Sequence, residues 1–463
     1  MSNSVPRDPP PHWGFTSDLP FMVWPVVPGQ QSAQKLAMLF AIEQQQWRSA
    51  HEFESAQFSQ LEHLIDFART TVPHYRKVLP PTVAGVPLKQ SWQDIPVLTR
   101  QALREAGDTL RSEQIPSAHG RVFENRTSGS TGQMVTVLGT ALTNLFWQVF
   151  CLRDHLWHRR QFSEKLFSIR YLRTPEAARL EVQRASGWGN ATADVARTGE
   201  SMVCHILTPI PALARQLVAE NPGYLLGHPS VLSGIAEYCL AHGMKVPALR
   251  EVRSLGETIP DQLRDLCSQA WNAPLTDMYS CQEAGYLALQ CPDHPHLHVQ
   301  SENVFLEVVD GNGQPCSPGE VGRVLITSLN NFATPLIRYE LGDYAELGAP
   351  CACGRGLPVL KRVLGRYRNL LTYPDGTQRW PLLGNEGRLR EIAPVTMMQL
   401  VQTKPDELEA RLVMPRPLTP AEQEQLARLI AENQGYPFKL SFRYVDTIRN
   451  PVNGKLEQFI SLL

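Results

Sequence analysis

Two groups of residues in this chain have the types and spacing for chemistry. The first is Thr127-Ser128-Gly129-Ser130-Thr131-Gly132-Gln133, set between two β-prone stretches. Glycines let backbone N–H groups converge on an anion and hydroxyls add donors, so a phosphate chain is the natural guest of such a loop. A solvated turn uses the same residue types. The loop is not of the Walker kind, because G-x-x-x-x-G-K-[ST] is absent from the chain. The second group is Cys291 and His298, followed by Cys351-Ala352-Cys353. Two thiols two positions apart, a further cysteine and an imidazole supply the soft ligands of a closed tetrahedral zinc site. Such a site would be structural, since every ligand comes from the protein. His294 and His296 compete with His298 for the fourth position. The plainer alternative is that these cysteines are small buried hydrophobes.

Further short motifs follow in order. Ser254-Leu255-Gly256-Glu257-Thr258 comes after a β-prone stretch, and Tyr279-Ser280-Cys281-Gln282-Glu283 lies beyond it. Pro335-Leu336-Ile337-Arg338-Tyr339-Glu340-Leu341-Gly342-Asp343, Gly365-Arg366 and Asn453-Gly454-Lys455 complete the series. With Thr127–Gly132 these resemble the signature motifs of the adenylate-forming superfamily, which includes acyl-CoA synthetases, luciferases and peptide-synthetase adenylation domains. The resemblance implies that Thr127, Ser128, Gly129, Ser130, Thr131 and Gly132 grip the phosphates of ATP. It places adenine against Gly256, Glu257, Thr258, Tyr279 and Ser280, and Mg²⁺ on Glu283. It gives the ribose hydroxyls to Asp343 and Arg366. Lys455 becomes the catalytic ammonium between carboxylate and α-phosphate, with Glu283 beside it in the catalytic set. Each role suits its residue: an aromatic face takes a purine, carboxylates take a hard cation or a vicinal diol, and an ammonium neutralises charge where it develops. Gln133 stands where the family usually has lysine, Ser280 and Cys281 depart from its Y-G-x-T-E, and Arg368 occupies its hinge position.

Cys-x₆-His followed by Cys-x-Cys-Gly-Arg looks like the phenylacetate–CoA ligase and CapK-like branch, some of whose members hold structural zinc there; Pro229-Ser230 also fits that branch. The resemblance covers about residues 55–460. It implies a mixed α/β fold, with a large N-terminal ATP- and acid-binding domain over 1–366 and a small mobile C-terminal domain over 367–463. It also implies activation of a carboxylic acid, aromatic by analogy, to acyl-AMP with release of pyrophosphate, then transfer to CoA. An amine or a carrier-protein thiol is the alternative acceptor, a non-catalytic nucleotide-binding relative the alternative class, and a homodimer the usual assembly. A kinase or ordinary ATPase would need motifs that are absent.

The elements that must position these residues are partly legible. Phe58, Leu61, Leu64, Ile65 and Ala68 recur at helical spacing, and Pro73 predicts a stop near Val72. Residues 1–50 read as an extended or helical arm. Short β-like runs (Val135–Leu138, Gly223–Leu226) alternate with helical ones (Val231–His242, Asp261–Ala270), a pattern of α/β layering. Near the C-terminus, strands Met397–Thr403 and Glu407–Met414 precede a helix punctuated by Thr419, Pro420, Glu422 and Gly435, and Phe438–Val445 makes a third strand. The resulting β-β-α-β unit has its boundary near Gly365–Asn369. Phe146-Trp147-Gln148-Val149-Phe150 and Trp157 could line an aryl pocket, although aromatics at this spacing more often form core.

At 463 residues the chain exceeds one ordinary core. A net charge of -1 offers no field for nucleic acid or an anionic membrane. No apolar run reaches a membrane span, and the first residues carry prolines and acids where a signal peptide would be basic and apolar. Nine cysteines without an export signal then favour metal or catalytic duty over disulfides, and a cytoplasmic location.

Overall fold

The computed structural model of the chain describes residues 17–81, 85–126, 135–172, 181–366, 370–379, 381, 386–449 and 456–463, with the backbone alone for Arg126, Arg366, Glu386 and Gly387. The phosphate-loop residues Thr127–Gly132, Gln133, Arg368 and Lys455 lie outside the described residues, as does the side chain of Arg366. Two compact units emerge. The first comprises 1–341 and Ala345–Val363; the second comprises Leu364–Leu463 with Gly342–Tyr344.

The first unit opens with helices α1 (Gln30–Gln45), α2 (Ala50–Thr71), α3 (Pro73–Val78), α4 (Leu88–Ser91) and α5 (Arg100–Ala106). α2 begins eight residues before the apolar pattern does, because Ser49 and Glu52 form a capping box: the Ser49 N–H donates to Glu52 Oε2 at 2.8 Å. It ends where Val72 turns extended ahead of Pro73. A hairpin of β1 (Val122–Arg126) and β2 (Thr136–Thr140) leads into α6 (Ala141–Trp157), capped by Thr140.

A twelve-stranded sheet forms the body of this unit. Its strands are β3 (Leu166–Arg170), β4 (Gln183–Ala185), β5 (Ser201–His205), β6 (Tyr224–Gly227), β7 (Glu251–Leu255), β8 (Leu275–Cys281), β9 (Gly285–Gln290), β10 (Leu297–Val299), β11 (Val304–Val309), β12 (Val321–Ser328), β13 (Tyr339–Leu347) and β14 (Val359–Arg366). The order is β11-β12-β13-β14-β10-β9-β8-β7-β6-β3-β5-β4. β5, β3, β6, β7 and β8 run parallel, and helices α7 (Ile210–Glu220), α8 (Pro229–Ala241) and α9 (Leu263–Trp271) connect them. Strands covered on both faces read as unbroken apolar runs, as Tyr224–Gly227 does with every residue buried. Leu213, Leu217, Ile235, Leu263 and Trp271 close one core over this region, while Leu39, Val149, Phe150 and Trp157 join α1 and α6 in another.

The second unit holds a small hairpin, β15 (Leu371–Thr372) with β16 (Gln378–Arg379), then α10 (Glu386–Ile392), β17 (Met397–Lys404), β18 (Glu407–Val413), α11 (Pro420–Gln434), β19 (Lys439–Tyr444) and β20 (Phe459–Ser461). Its four-stranded sheet is ordered β19-β18-β17-β20, so a short fourth strand extends the expected β-β-α-β pattern. α11 starts at the Thr419–Glu422 capping box and stops at Gly435, whose φ of 65° suits glycine. Leu400, Leu408, Leu426, Leu429 and Phe459 give this unit its own core. Among the described residues no helix is long and apolar enough to cross a membrane.

Candidate functional site

Parallel strands send their carboxyl ends to one edge of a sheet, where open α/β folds bind ligands. Two of the singled-out motifs sit there. β7 ends at Leu255, and Gly256 follows with φ 77°, a conformation that favours glycine. Glu257 turns back so that its Oε2 accepts the Ser230 N–H at 3.0 Å, placing a carboxylate at the first turn of α8. Thr258 beyond it is exposed. Tyr279 is buried on the neighbouring β8 and pairs with Ala288; the register shifts between Tyr279 and Ser280. Glu283, in the turn to β9, is buried, with Arg100 Nη1 3.8 Å from Oε1. Arg100 opens α5 behind the Thr99 cap, and nothing in the spacing of residues 99 and 283 announces that pairing.

The Pro335–Asp343 stretch divides. Arg338 is buried: its guanidinium meets Glu307 at 3.2 Å and donates to the carbonyl of Ile95 and the Gln93 side chain, each at 2.7 Å. Its role is to tie β13 to the segment before α5. Asp343 lies further along β13, within the three residues that group with the second unit.

The cysteine–histidine motif is brought together. Cys291 Sγ lies 3.9 Å from Cys351 Sγ, and Cys353 Sγ lies 3.4 Å from His298 Nε2. Donor atoms of Cys291, His296, His298 and Cys351 all fall within 4.8 Å of one another. His298 Nδ1 is 3.3 Å from the Leu357 carbonyl; donating its proton there leaves the Nε2 lone pair facing the thiols. Burial lowers the His298 imidazole to about 4, so it stays neutral. Burial pushes Cys291 up to about 12. It pushes Cys353 up as well, but hydrogen bonds from Arg355 and Cys351 outweigh it and hold that thiol below its usual range. His296 Nε2 is buried without a hydrogen-bond partner. Clustered sulfurs, one of them held below its usual range, a neutral imidazole and an orphaned ring nitrogen fit a soft divalent cation. His296 and His298 both reach the cluster, so the competition for the fourth position is not removed by geometry.

The loop bearing Cys351 and Cys353 is anchored. Arg355 packs its guanidinium 4.9 Å from the Trp47 ring and 4.6 Å from the Trp157 ring, and donates to Gln46 Oε1 at 2.8 Å. Gly356 lies so close that a Cβ there would sit 1.7 Å from the Arg48 carbonyl oxygen.

An ionic network under the parallel strands escaped the motif reading. Asp154 of α6 receives Arg160 and Arg253, each at 2.6 Å, and Arg160 also holds Glu251 at 2.7 Å. Burial pushes the Asp154 carboxyl up, but the two guanidinium groups overcome this and hold it well below the usual range. Cys151 Sγ lies 3.6 Å from His155 Nε2, and the Tyr286 ring lies 5.0 Å from that of Trp147. On α6, Val149 and Phe150 are core, Trp157 is buried against Arg153 and Arg355, and Trp147 is half-buried. The contributing residues are scattered from 147 to 286, so no local signal marks them.

No family model matches the chain. It is 26% identical over 189 residues to a phenylacetate-coenzyme A ligase of Thermus thermophilus, a stretch covering 36% of this chain and 42% of that protein. It is 25% identical over 161 residues to Protein CapK of Staphylococcus aureus, covering 33% of each. The matched stretches thus span less than half of these curated relatives. Among solved structures, a 2-hydroxyisobutyryl-CoA ligase in its postadenylation state superposes with a TM-score of 0.68 at 17% identity, covering 90% of this chain and 91% of that one. An anthranilate CoA ligase bound to anthranoyl-AMP gives 0.52 at 16% identity over 72% and 65% of the respective chains. The ordered motifs and the two partial sequence relatives support the adenylate-forming superfamily with a phenylacetate–CoA ligase-like branch, and the solved structures share the fold.

Proposed function

We propose that this chain activates a carboxylic acid, aromatic by the half-buried Trp147 and the Tyr286 ring beside it, to an acyl-adenylate and passes the acyl group to CoA. The observation that carries the reading is the placement of Gly256–Thr258 and Tyr279–Glu283 at the carboxyl ends of adjacent parallel strands, where an adenine and its phosphates have an edge to bind. Residues 1–366 supply the nucleotide and acid site, and residues 367–463 supply Lys455.

Adenine lies against Tyr279, between Gly256–Thr258 and Ser280, and Asp343 and Arg366 take the ribose hydroxyls. Thr127–Gly132 cradles the phosphates. Mg²⁺, when bound, neutralises charge on the phosphate chain, and the buried Glu283 carboxylate is the acceptor that suits it. The substrate carboxylate attacks the α-phosphorus, the bond to the β-phosphate breaks and pyrophosphate leaves; the Lys455 ammonium offsets the repulsion between the two anions. The CoA thiol then attacks the acyl carbonyl and AMP departs. Zinc, when bound by Cys291, His298, Cys351 and Cys353, fixes the loop from Gly348 to Gly356 and takes no part in the reaction.

Acid-dependent pyrophosphate release tests the reading. Lys455→Ala should lower it by roughly two orders of magnitude or more while nucleotide binding persists. Adenylate formation by that variant at the unaltered rate overturns the role given to Lys455. Pyrophosphate release with no thioester formed on adding CoA would move the acceptor to an amine or a carrier thiol.

A further inference from the structure

Two anchored segments bring Glu283 and Arg100 side by side. The turn that carries Glu283 from β8 to β9 is fixed by Asn303, whose Nδ2 donates to the carbonyls of Ala284 at 2.9 Å and Tyr286 at 2.7 Å. Asn330 in turn donates to Asn303 Oδ1 at 2.6 Å. Gly285 closes the turn with φ 79°, so near Trp147 that a Cβ there would lie 3.3 Å from its ring. The segment before Arg100 is tied to β13. The Leu98 N–H donates to the Arg338 carbonyl at 3.1 Å, and the Glu340 N–H donates to the Leu98 carbonyl at 3.0 Å. Arg338 clamps the same segment through Gln93 and Ile95, and the Thr99 hydroxyl accepts the Ala102 N–H at 3.1 Å.

The pair these anchors produce is loose. Arg100 Nη1 stands 3.8 Å from Glu283 Oε1, whereas a closed guanidinium–carboxylate bond measures about 2.8 Å. The buried pairs of the same unit are closed: Arg160 meets Asp154 at 2.6 Å and Glu251 at 2.7 Å. Glu283 is buried and Arg100 half-buried, so the guanidinium keeps a flank open to a ligand. Leu98 and Leu103, on either side of Arg100, share one apolar core with Tyr279 and with Val135 and Val137, which follow the phosphate loop in sequence. That loop, residues 127–133, contains neither lysine nor arginine, so side-chain positive charge for its guest comes from another segment. A metal–phosphate unit is a cation next to an anion. Glu283 and Arg100 present the matching order, carboxylate for the metal and guanidinium for the phosphate.

We propose that Arg100 is a phosphate-binding residue, its guanidinium holding the part of ATP that leaves as pyrophosphate, beside the Glu283 carboxylate. The proposal rests on the adenylation reading above and adds a residue to its site. When the bond from the α-phosphorus to the bridging oxygen breaks, its electron pair stays on that oxygen and the leaving pyrophosphate gains negative charge. Arg100, cationic throughout, meets that charge without a proton transfer. AMP lacks the two departing phosphates, so its binding does not call on Arg100.

Calorimetric titration of the full chain with Mg·ATP, Mg·pyrophosphate and AMP tests it. Arg100→Ala should weaken Mg·ATP and Mg·pyrophosphate by roughly tenfold or more while AMP changes less than about threefold. Arg100→Lys keeps a positive charge beside Glu283 and should show the same selective loss to a smaller degree. Mg·ATP affinity unchanged in Arg100→Ala overturns the proposal. So does an equal fall for ATP and AMP, which would make Arg100 only a structural partner of Glu283. If Arg100→Ala does not fold, Arg100→Lys decides by the same comparison: selective weakening of the two phosphate ligands supports the proposal, and equal or no weakening overturns it. If Mg·ATP gives no heat with the parent protein, the adenylation reading fails by itself, and Mg·pyrophosphate decides the site. Binding that Arg100→Ala abolishes supports it, while binding indifferent to that change, or no heat at all, sinks it.

Discussion

Asp277 shows how far the sheet interior departs from water. It lies on β8, accepts the Ser254 hydroxyl at 2.7 Å, and has its carboxyl pushed up to about 6 by burial. An acid raised on folding keeps its proton in the native chain where the unfolded chain has lost it, so stability falls as pH rises from about 4 to about 6. Above that range the cost is at most about 3 kcal/mol, from the size of the shift. Asp277→Asn should flatten this dependence and stabilise the protein at pH 7 relative to pH 4.5, read from urea midpoints at both. Tyr279, two residues on, belongs to the proposed adenine site. Tyr279→Ala should weaken ATP binding roughly tenfold by removing a stacking face, measured by titration with ATP.

At the scale of elements, the loop from Gly348 to Gly356 combines a ligand cluster with a clamp on the N-terminal helices. Gly356→Ala would drive a methyl group into the Arg48 carbonyl, and neither partner is a flexible side chain. It should cost more than about 2 kcal/mol, visible as a lower melting temperature. Cys353→Ser should lose bound zinc by elemental analysis; full retention would shift the fourth ligand to His296, which the geometry also presents. In the second unit, Thr419→Ala removes the cap on α11 and should cost about 1 kcal/mol by denaturant unfolding.

At the scale of the molecule, each unit has its own apolar core, so damage to one can be separated from damage to the other. Leu426 is wholly buried beside Leu408, Leu429 and Phe459 in the second unit. Leu426→Ala should destabilise that unit by roughly 3 kcal/mol. Calorimetry should show the change in one transition only, with the ATP-dependent shift of the first unit preserved.

Local chemistry is legible without a structure wherever one stretch of chain is enough to specify it. Thr419, Pro420, Glu422 and Gly435 announced α11 because capping involves neighbours within one turn. The Cys-x-Cys spacing announces a pair of sulfurs, and Ser49-x-x-Glu52 marks the start of α2 in the same local way. β20, three residues long, is too short for any periodicity to show. What the tertiary structure alone decided was charge accounting: which carboxylate meets which guanidinium, with Asp154 between Arg160 and Arg253 and Glu251 on Arg160. Such pairings join residues on α6, the turn after it and β7, and a Coulomb interaction depends on distance in space and on burial, neither of which is written in the order of residues along a chain.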